Sequence, residues 1–153
     1  MKCKLPNSWS ILAALVTIAA GLCSTSVVAL ADEEGCSVAS LNGSYGIQST
    51  GSIVALGPIG PVAEAGIIKF DGTGEVSQTT TVSTNGFIIP NRSSLSGTYL
   101  VNPNCTGDLA LVLPLLGGSI TSTSHFVIVD HGKEIFLVNT GTGRVIVGNA
   151  KRQ

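Results

Sequence analysis

The sequence predicts an all-β domain, an antiparallel meander that closes into a small barrel of about eight strands. Short β-branched runs alternate with clusters of Gly, Pro, Asn and Asp at intervals of about 8 to 14 residues. Several clusters are hairpin signals, such as Asp71-Gly72 and Asn85-Gly86, because these pairs tolerate the positive φ of tight turns. No stretch after residue 31 has the apolar spacing of an amphipathic helix.

Nine strands are predicted along the chain. They cover residues 43–53, 62–70, 75–83, 87–89, 96–101, 109–113, 124–129, 134–139 and 144–148. Short turns make consecutive strands antiparallel neighbours. Such a meander leaves two open edges unless it closes, so we expect a barrel with room for side chains or one small ligand. A two-sheet β-sandwich is the alternative.

The first 31 residues have the pattern of a secretory signal peptide. A basic start precedes an apolar run over residues 11–20, and Ala29-Leu30-Ala31 forms a small-x-small cleavage site. Cleavage is favoured over a retained anchor because small and polar residues at 21–26 interrupt the apolar stretch. We therefore expect one secreted or periplasmic domain over residues 32–153, with no membrane segment after cleavage.

Cleavage leaves two of the four cysteines, Cys36 and Cys105. In an oxidising compartment such an even pair is normally a disulfide. The bond would close a loop of about 70 residues, which stabilises a fold by about 4 kcal/mol in the chain-entropy model. We expect it to tie the segment before the first strand to the turn after the fifth, across one end of the barrel.

Charge and motifs exclude several functions. Lys2 and Lys4 precede the cleavage site, so six basic and nine acidic residues give residues 32–153 a formal charge of −3, with no basic stripe. Nucleic acids are therefore not expected as partners, because phosphate binding requires clustered Lys and Arg. The sequence contains no G-x-S-x-G, P-loop, H-E-x-x-H or C-x-x-C motif. No catalytic residue and no cofactor are predicted.

Five residues form the predicted ligand-binding set: Glu64, Phe70, Tyr45, Tyr99 and His125. Glu64 shares strand parity with Phe70, so a barrel interior on that face would hold a carboxylate in an apolar cavity. There it could anchor a ligand or transfer a proton; the alternative is that this parity faces solvent. Tyr45 and Tyr99 each follow a Gly-x step and are expected to cap one barrel end. His125 begins an apolar strand.

Two acidic or histidine clusters could hold a metal in principle. They are His125 with Asp130 and His131, and Asp71 with Glu75. Ordinary turn chemistry accounts for Asp71, and His131 is expected in an exposed turn. No metal site is predicted.

The C-terminal strands are apolar at both parities, as in residues 126–129, 135–138 and 145–147. This pattern predicts burial on both faces, whereas a lone barrel covers only its inner face. A homo-oligomer interface is the expected cover, and the chain's own N-terminal segment or long loops are the alternative. Two apolar loops, 54–61 and 114–118, either flank a barrel mouth or fold back as a plug, which we favour.

Residues 41–46, 66–74 and 97–107 resemble segments of a group of small exported bacterial proteins of unassigned activity. The most specific element is Tyr-x-Val-x-x-x-Cys-Thr-Gly, at residues 99–107. The resemblance implies a bacterial periplasmic or extracellular β-domain and supplies no catalytic residue. The meander is also similar to lipocalin-type and allene-oxide-cyclase-type barrels. It departs from lipocalins at Gly43-Ser44-Tyr45, where those proteins have Gly-x-Trp.

We therefore expect a non-catalytic protein that binds a small apolar ligand inside the barrel or at its mouth. One alternative is a structural or surface protein that self-associates through the C-terminal strands. Another is a cyclase- or isomerase-like enzyme with Glu64 as its acid or base.

Overall fold

The computed structural model describes residues 35–55 and 59–153, which contain nine antiparallel strands in one sheet. The strands are β1 (Asn42–Ile53), β2 (Gly60–Asp71), β3 (Val76–Thr84), β4 (Phe87–Ser93), β5 (Ser96–Val101), β6 (Thr106–Leu115), β7 (Gly118–Val129), β8 (Glu134–Asn139) and β9 (Arg144–Arg152). The predicted all-β class is confirmed, and each predicted strand coincides with an observed one. The signal peptide predicted over residues 1–31 lies outside the described residues.

The strand order is β4-β3-β2-β1-β9-β8-β7-β6-β5. Consecutive strands pair as hairpins everywhere except between β4 and β5. The predicted meander is therefore confirmed on both sides of that break. The first and last strands also pair, over Tyr45–Ile53 and Arg144–Arg152. The sheet is therefore interrupted in the middle of the chain, where β4 and β5 form its two edges.

The sheet curls until its edges approach each other. Only Ser94 and Leu95 separate β4 from β5 in sequence, and the Ser94 N–H donates to the Gln78 carbonyl of β3 at 2.8 Å. A single bridge pairs Glu75 with Thr98. No continuous ladder joins the two edges within the described chain. The barrel prediction is thus confirmed only as a curled, barrel-like sheet with an open seam, and the strands do not divide into a two-sheet sandwich.

One end of the curled sheet is closed by packed side chains and by the predicted disulfide, Cys36–Cys105. Cys36 precedes β1 and Cys105 lies between β5 and β6, so the predicted placement is confirmed. The turns between β1 and β2, β3 and β4, β6 and β7, and β8 and β9 all lie at the other end, which we call the open end. Among the described residues, no helix is long and apolar enough to cross a membrane.

Most strands extend beyond their predicted limits, and β4 and β7 show why. Edge strand β4 continues through Pro90, whose missing N–H is tolerated where no further strand pairs. The first half of β7 is rich in Ser and Thr, which hid it from an apolar pattern. The apolar segment 114–118 forms the tip of the β6–β7 hairpin, with Leu115 and Leu116 exposed. These side chains flank the open end, so the plug prediction is wrong for them.

The C-terminal strands bury their inner parity only. Their outer apolar side chains are 40–65% exposed in the described chain: Val127, Phe136, Val138, Val145 and Val147. Residues 35–55 and 59–153 of a single chain therefore leave the outer face of these strands uncovered, and its cover by a second copy or by other segments stays a prediction. We call these five residues the outer apolar patch.

Candidate functional site

Between the closed and open ends, the inner face of the sheet encloses a cavity of about 190 Å³. Most of its wall is aliphatic: Ile47, Ile53, Val62, Ile68, Val82, Ile89, Leu109, Leu111, Leu113, Leu115, Ile120, Leu137 and Ile146. An apolar cavity of about 150 Å³ is large enough to hold benzene. Drug-sized ligands occupy about 300 Å³ or more. The cavity is therefore suited to a small apolar molecule or a short aliphatic chain.

Three buried aromatic rings form the floor at the closed end. Phe70 makes edge-to-face contacts with Tyr45 at 5.4 Å and with Tyr99 at 5.0 Å between ring centroids. The Tyr45 hydroxyl donates to the Gly132 carbonyl at 2.5 Å, and the Tyr99 hydroxyl lies 3.0 Å from the Leu41 carbonyl. Burial raises the pKa of both phenols. The two tyrosine rings cap this end, as predicted, and none of the three rings lines the cavity.

Glu64 lies in the cavity wall, on the inward parity of β2. Its carboxylate accepts hydrogen bonds from Ser49, Gln78 and Thr80 at 3.2, 2.5 and 2.5 Å. Arg92 of β4 approaches it at 3.4 Å between Nη2 and Oε1, and both side chains are only about 15% exposed. Four polar partners therefore surround a group that the sequence placed among apolar neighbours. This arrangement favours a structural role over proton transfer.

A second polar cluster, which was not predicted from the sequence, lies on the opposite wall near the open end. Arg144 donates through Nη1 to the Ser122 hydroxyl at 3.3 Å, and Asn139 donates through Nδ2 to the same oxygen at 3.0 Å. All three side chains line the cavity. The sequence signal for this cluster was parity. Arg144 and the apolar Ile146 are two residues apart on a predicted strand, so their side chains lie on the same face.

Two polar atoms in residues that line the cavity are buried without a hydrogen-bond partner among the described residues. They are Oγ1 of Thr84 and Nε of Arg92. An unsatisfied buried polar atom costs about 1–3 kcal/mol. A ligand with an oxygen atom at the right depth could satisfy one of them, so the wall is polar enough to orient a bound molecule.

The remaining predicted residues lie away from the cavity. His125 points from the outer face of β7, where its ring contacts Asp108 at 2.9 Å between Nδ1 and Oδ1. His131 is exposed in a turn with φ of 54°. Asp71 accepts backbone N–H groups in the turn between β2 and β3. Of the five predicted ligand-binding residues, only Glu64 lines the cavity.

Exposed apolar side chains surround the open end. They lie in or next to three of its turns: Val54, Ile59, Phe87, Ile88, Leu115 and Leu116. Leu115 is also part of the cavity wall, so this apolar rim is continuous with the cavity.

Comparison of the chain with protein-family models, with curated proteins and with solved structures found no match. The candidate site is therefore described from its geometry alone.

Proposed function

We propose that this protein is a secreted or periplasmic, non-catalytic binding protein that holds one small apolar molecule in the cavity. The observation that carries the proposal is the aliphatic wall of a cavity of about 190 Å³ that reaches the open end. Burial of apolar surface contributes about 25 cal/mol per Å² to binding before the costs of association. The apolar rim supports entry of such a molecule at the open end.

We also propose that the curled sheet acts as a closed barrel despite its open seam. Ser94 and Leu95 cross the seam, and their N–H groups donate to Gln78 of β3 and Val112 of β6, each at 2.8 Å. These two bonds connect the seam to both halves of the sheet. A seam held in this way would keep the cavity separate from solvent along its side and leave the open end as the entrance.

Native mass spectrometry of the oxidised protein, purified gently from its own host, tests the proposal. We expect a mass excess that corresponds to one small molecule per chain. A denatured spectrum of the same preparation serves as the control, because the excess should vanish when the chain unfolds. Chains that carry no additional mass, in a protein that also takes up no small apolar compound, would overturn the proposal.

The outer apolar patch favours self-association as a second candidate function. Val127 pairs with Phe136 across β7 and β8, and Val138 pairs with Val147 across β8 and β9. These contiguous side chains form an uncovered apolar surface that a second copy of the chain could bury. Light scattering should then detect a dimer or trimer, and Val147→Lys should shift it to monomer while Thr121→Lys, on the outer face of β7, should not. A wild-type monomer at high concentration would exclude this function.

A further inference from the structure

We propose that the bound molecule carries an anionic oxygen group, such as a carboxylate, which binds Arg144 at the open end while its apolar part fills the cavity. This inference rests on the proposed function and narrows the ligand to an anionic amphiphile. It follows from the position of Arg144, from the hydrogen-bond roles of its neighbours and from the charge of the cavity wall.

Arg144 is held in place by the chain around it. The carbonyl of Gly143 accepts N–H groups from Val54 and Ala55 at 2.8 and 3.2 Å, which fixes the β8–β9 turn to the end of β1. Arg144 then begins β9 opposite Ile53, on the parity that faces the cavity. Its guanidinium is thus presented by a strand rather than by a free loop.

The neighbours of Arg144 offer donors to the cavity. The Gly141 N–H donates to Oδ1 of Asn139 at 2.9 Å, so the amide nitrogen of Asn139 must face Ser122. The Ser122 hydroxyl oxygen therefore accepts from both Asn139 and Arg144, and its own proton has no acceptor among the described residues. Ser122 and Arg144 together present O–H and N–H groups, which a ligand oxygen can accept.

The cavity wall carries a positive charge that would attract the anionic group of a ligand. Among the described residues, its ionisable side chains are Glu64, Arg92 and Arg144, and the first two form an ion pair. No carboxylate of the described chain lies within 4.0 Å of the Arg144 guanidinium. One positive charge thus remains beside an aliphatic cavity. A carboxylate can pair with a guanidinium through two parallel hydrogen bonds, which an alcohol or amine cannot reproduce.

The cavity volume limits the size of the ligand's apolar part. A volume of about 190 Å³ accommodates a short aliphatic chain but not a large ring system. Octanoate and 1-octanol are suitable probes, because they share the same eight-carbon chain and differ in the charged group. Octylamine completes the set with the opposite charge.

Isothermal titration calorimetry on the oxidised protein tests the inference. We expect octanoate to bind about 10- to 100-fold more tightly than 1-octanol, the range of one charge-assisted hydrogen-bonded contact, and octylamine to bind most weakly. Arg144→Gln should weaken octanoate binding far more than 1-octanol binding and so remove the preference for octanoate, whereas Arg144→Lys should retain part of it. Lys151→Gln removes a charge from an exposed position on the same strand and should have no effect.

The two proposals fail differently. Equal affinity for octanoate and 1-octanol, unaffected by Arg144→Gln, would overturn the anionic ligand and leave the binding function intact. No saturable binding of any compound in a six- to twelve-carbon series of acids and alcohols would overturn both. A preference for octanoate that persists in Arg144→Gln would also overturn the role assigned to Arg144.

Discussion

Gly97 of β5 lies against the carbonyl oxygen of Val76 in β3, and a Cβ on residue 97 would come within 2.4 Å of that oxygen. The two strands belong to opposite halves of the sheet and meet only because the sheet curls. A glycine at this position therefore permits the approach of β5 to β3 beside the Glu75–Thr98 bridge.

Gly97→Ala should lower the free energy of unfolding by about 1–3 kcal/mol, the usual cost of forcing extra atoms into a packed contact. Urea unfolding followed by circular dichroism gives the value. Gly46→Ala is the matched control, because its Cβ would meet no atom closer than 3.6 Å. Equal stability of the two variants would show that the seam is looser than described.

Asp71 should make the closed end sensitive to acid. Hydrogen bonds from the Thr73 side chain, and from backbone N–H groups of Thr73, Glu75 and Gly74, lower its pKa from 3.8 to about 2. A depressed folded-state pKa contributes stability above the ordinary pKa, and that stability is lost as the pH falls from about 4 to 2. Asp71→Asn should therefore lower Tm at pH 7 and approach the wild-type Tm near pH 2. Glu75→Gln, in the same turn, is the control, and a constant Tm difference between Asp71→Asn and wild type at every pH would contradict the assignment.

The Glu64–Arg92 pair should contribute to stability as a unit. Glu64→Gln leaves the Arg92 charge without a carboxylate in a mostly buried position, and we expect a loss of about 1–3 kcal/mol. Adding Arg92→Gln should recover part of the loss, because the double variant leaves no unpaired charge at the Glu64–Arg92 position. A double-mutant cycle by urea unfolding measures the coupling, which should exceed about 0.5 kcal/mol. Strictly additive losses would mean that the two side chains do not interact.

The sequence predicted strands and turns well because both signals are local. Asp71-Gly72 and Asn85-Gly86 mark their turns directly, whereas the parity of Glu64 with Phe70 left open whether the carboxylate faces the interior or solvent. The edges were not predictable, since the break between β4 and β5 depends on which strands pair at long range. A Ser/Thr-rich segment such as the first half of β7 shows its strand only through its partner, β6.

The candidate site was predicted less completely than the fold. Parity made Glu64 a candidate without deciding which way it faces, and its four polar partners come from three other strands that meet only in the curled sheet. The cluster around Arg144 likewise combines β7, β8 and β9. Tyr45 and Tyr99 were correctly placed at a barrel end, whereas Phe70, predicted to share the cavity face with Glu64, lies with them in the floor. His125 was misplaced because the sequence did not show which parity of β7 faces outward.

Blocking the cavity tests whether it binds a small apolar molecule. Ser124 lines the cavity, is buried and forms no side-chain hydrogen bond within the described residues, so Ser124→Leu adds volume inside with little other change. Thr121→Leu, on the outer face of the same strand, is the control. In calorimetric titrations with 1-octanol, we expect wild type and Thr121→Leu to bind one molecule per chain and Ser124→Leu to bind at least about 10-fold more weakly, once filling removes the space for the ligand. If a folded Ser124→Leu variant binds 1-octanol as tightly as wild type, or if wild type does not bind it, the cavity is not a binding site for small apolar molecules.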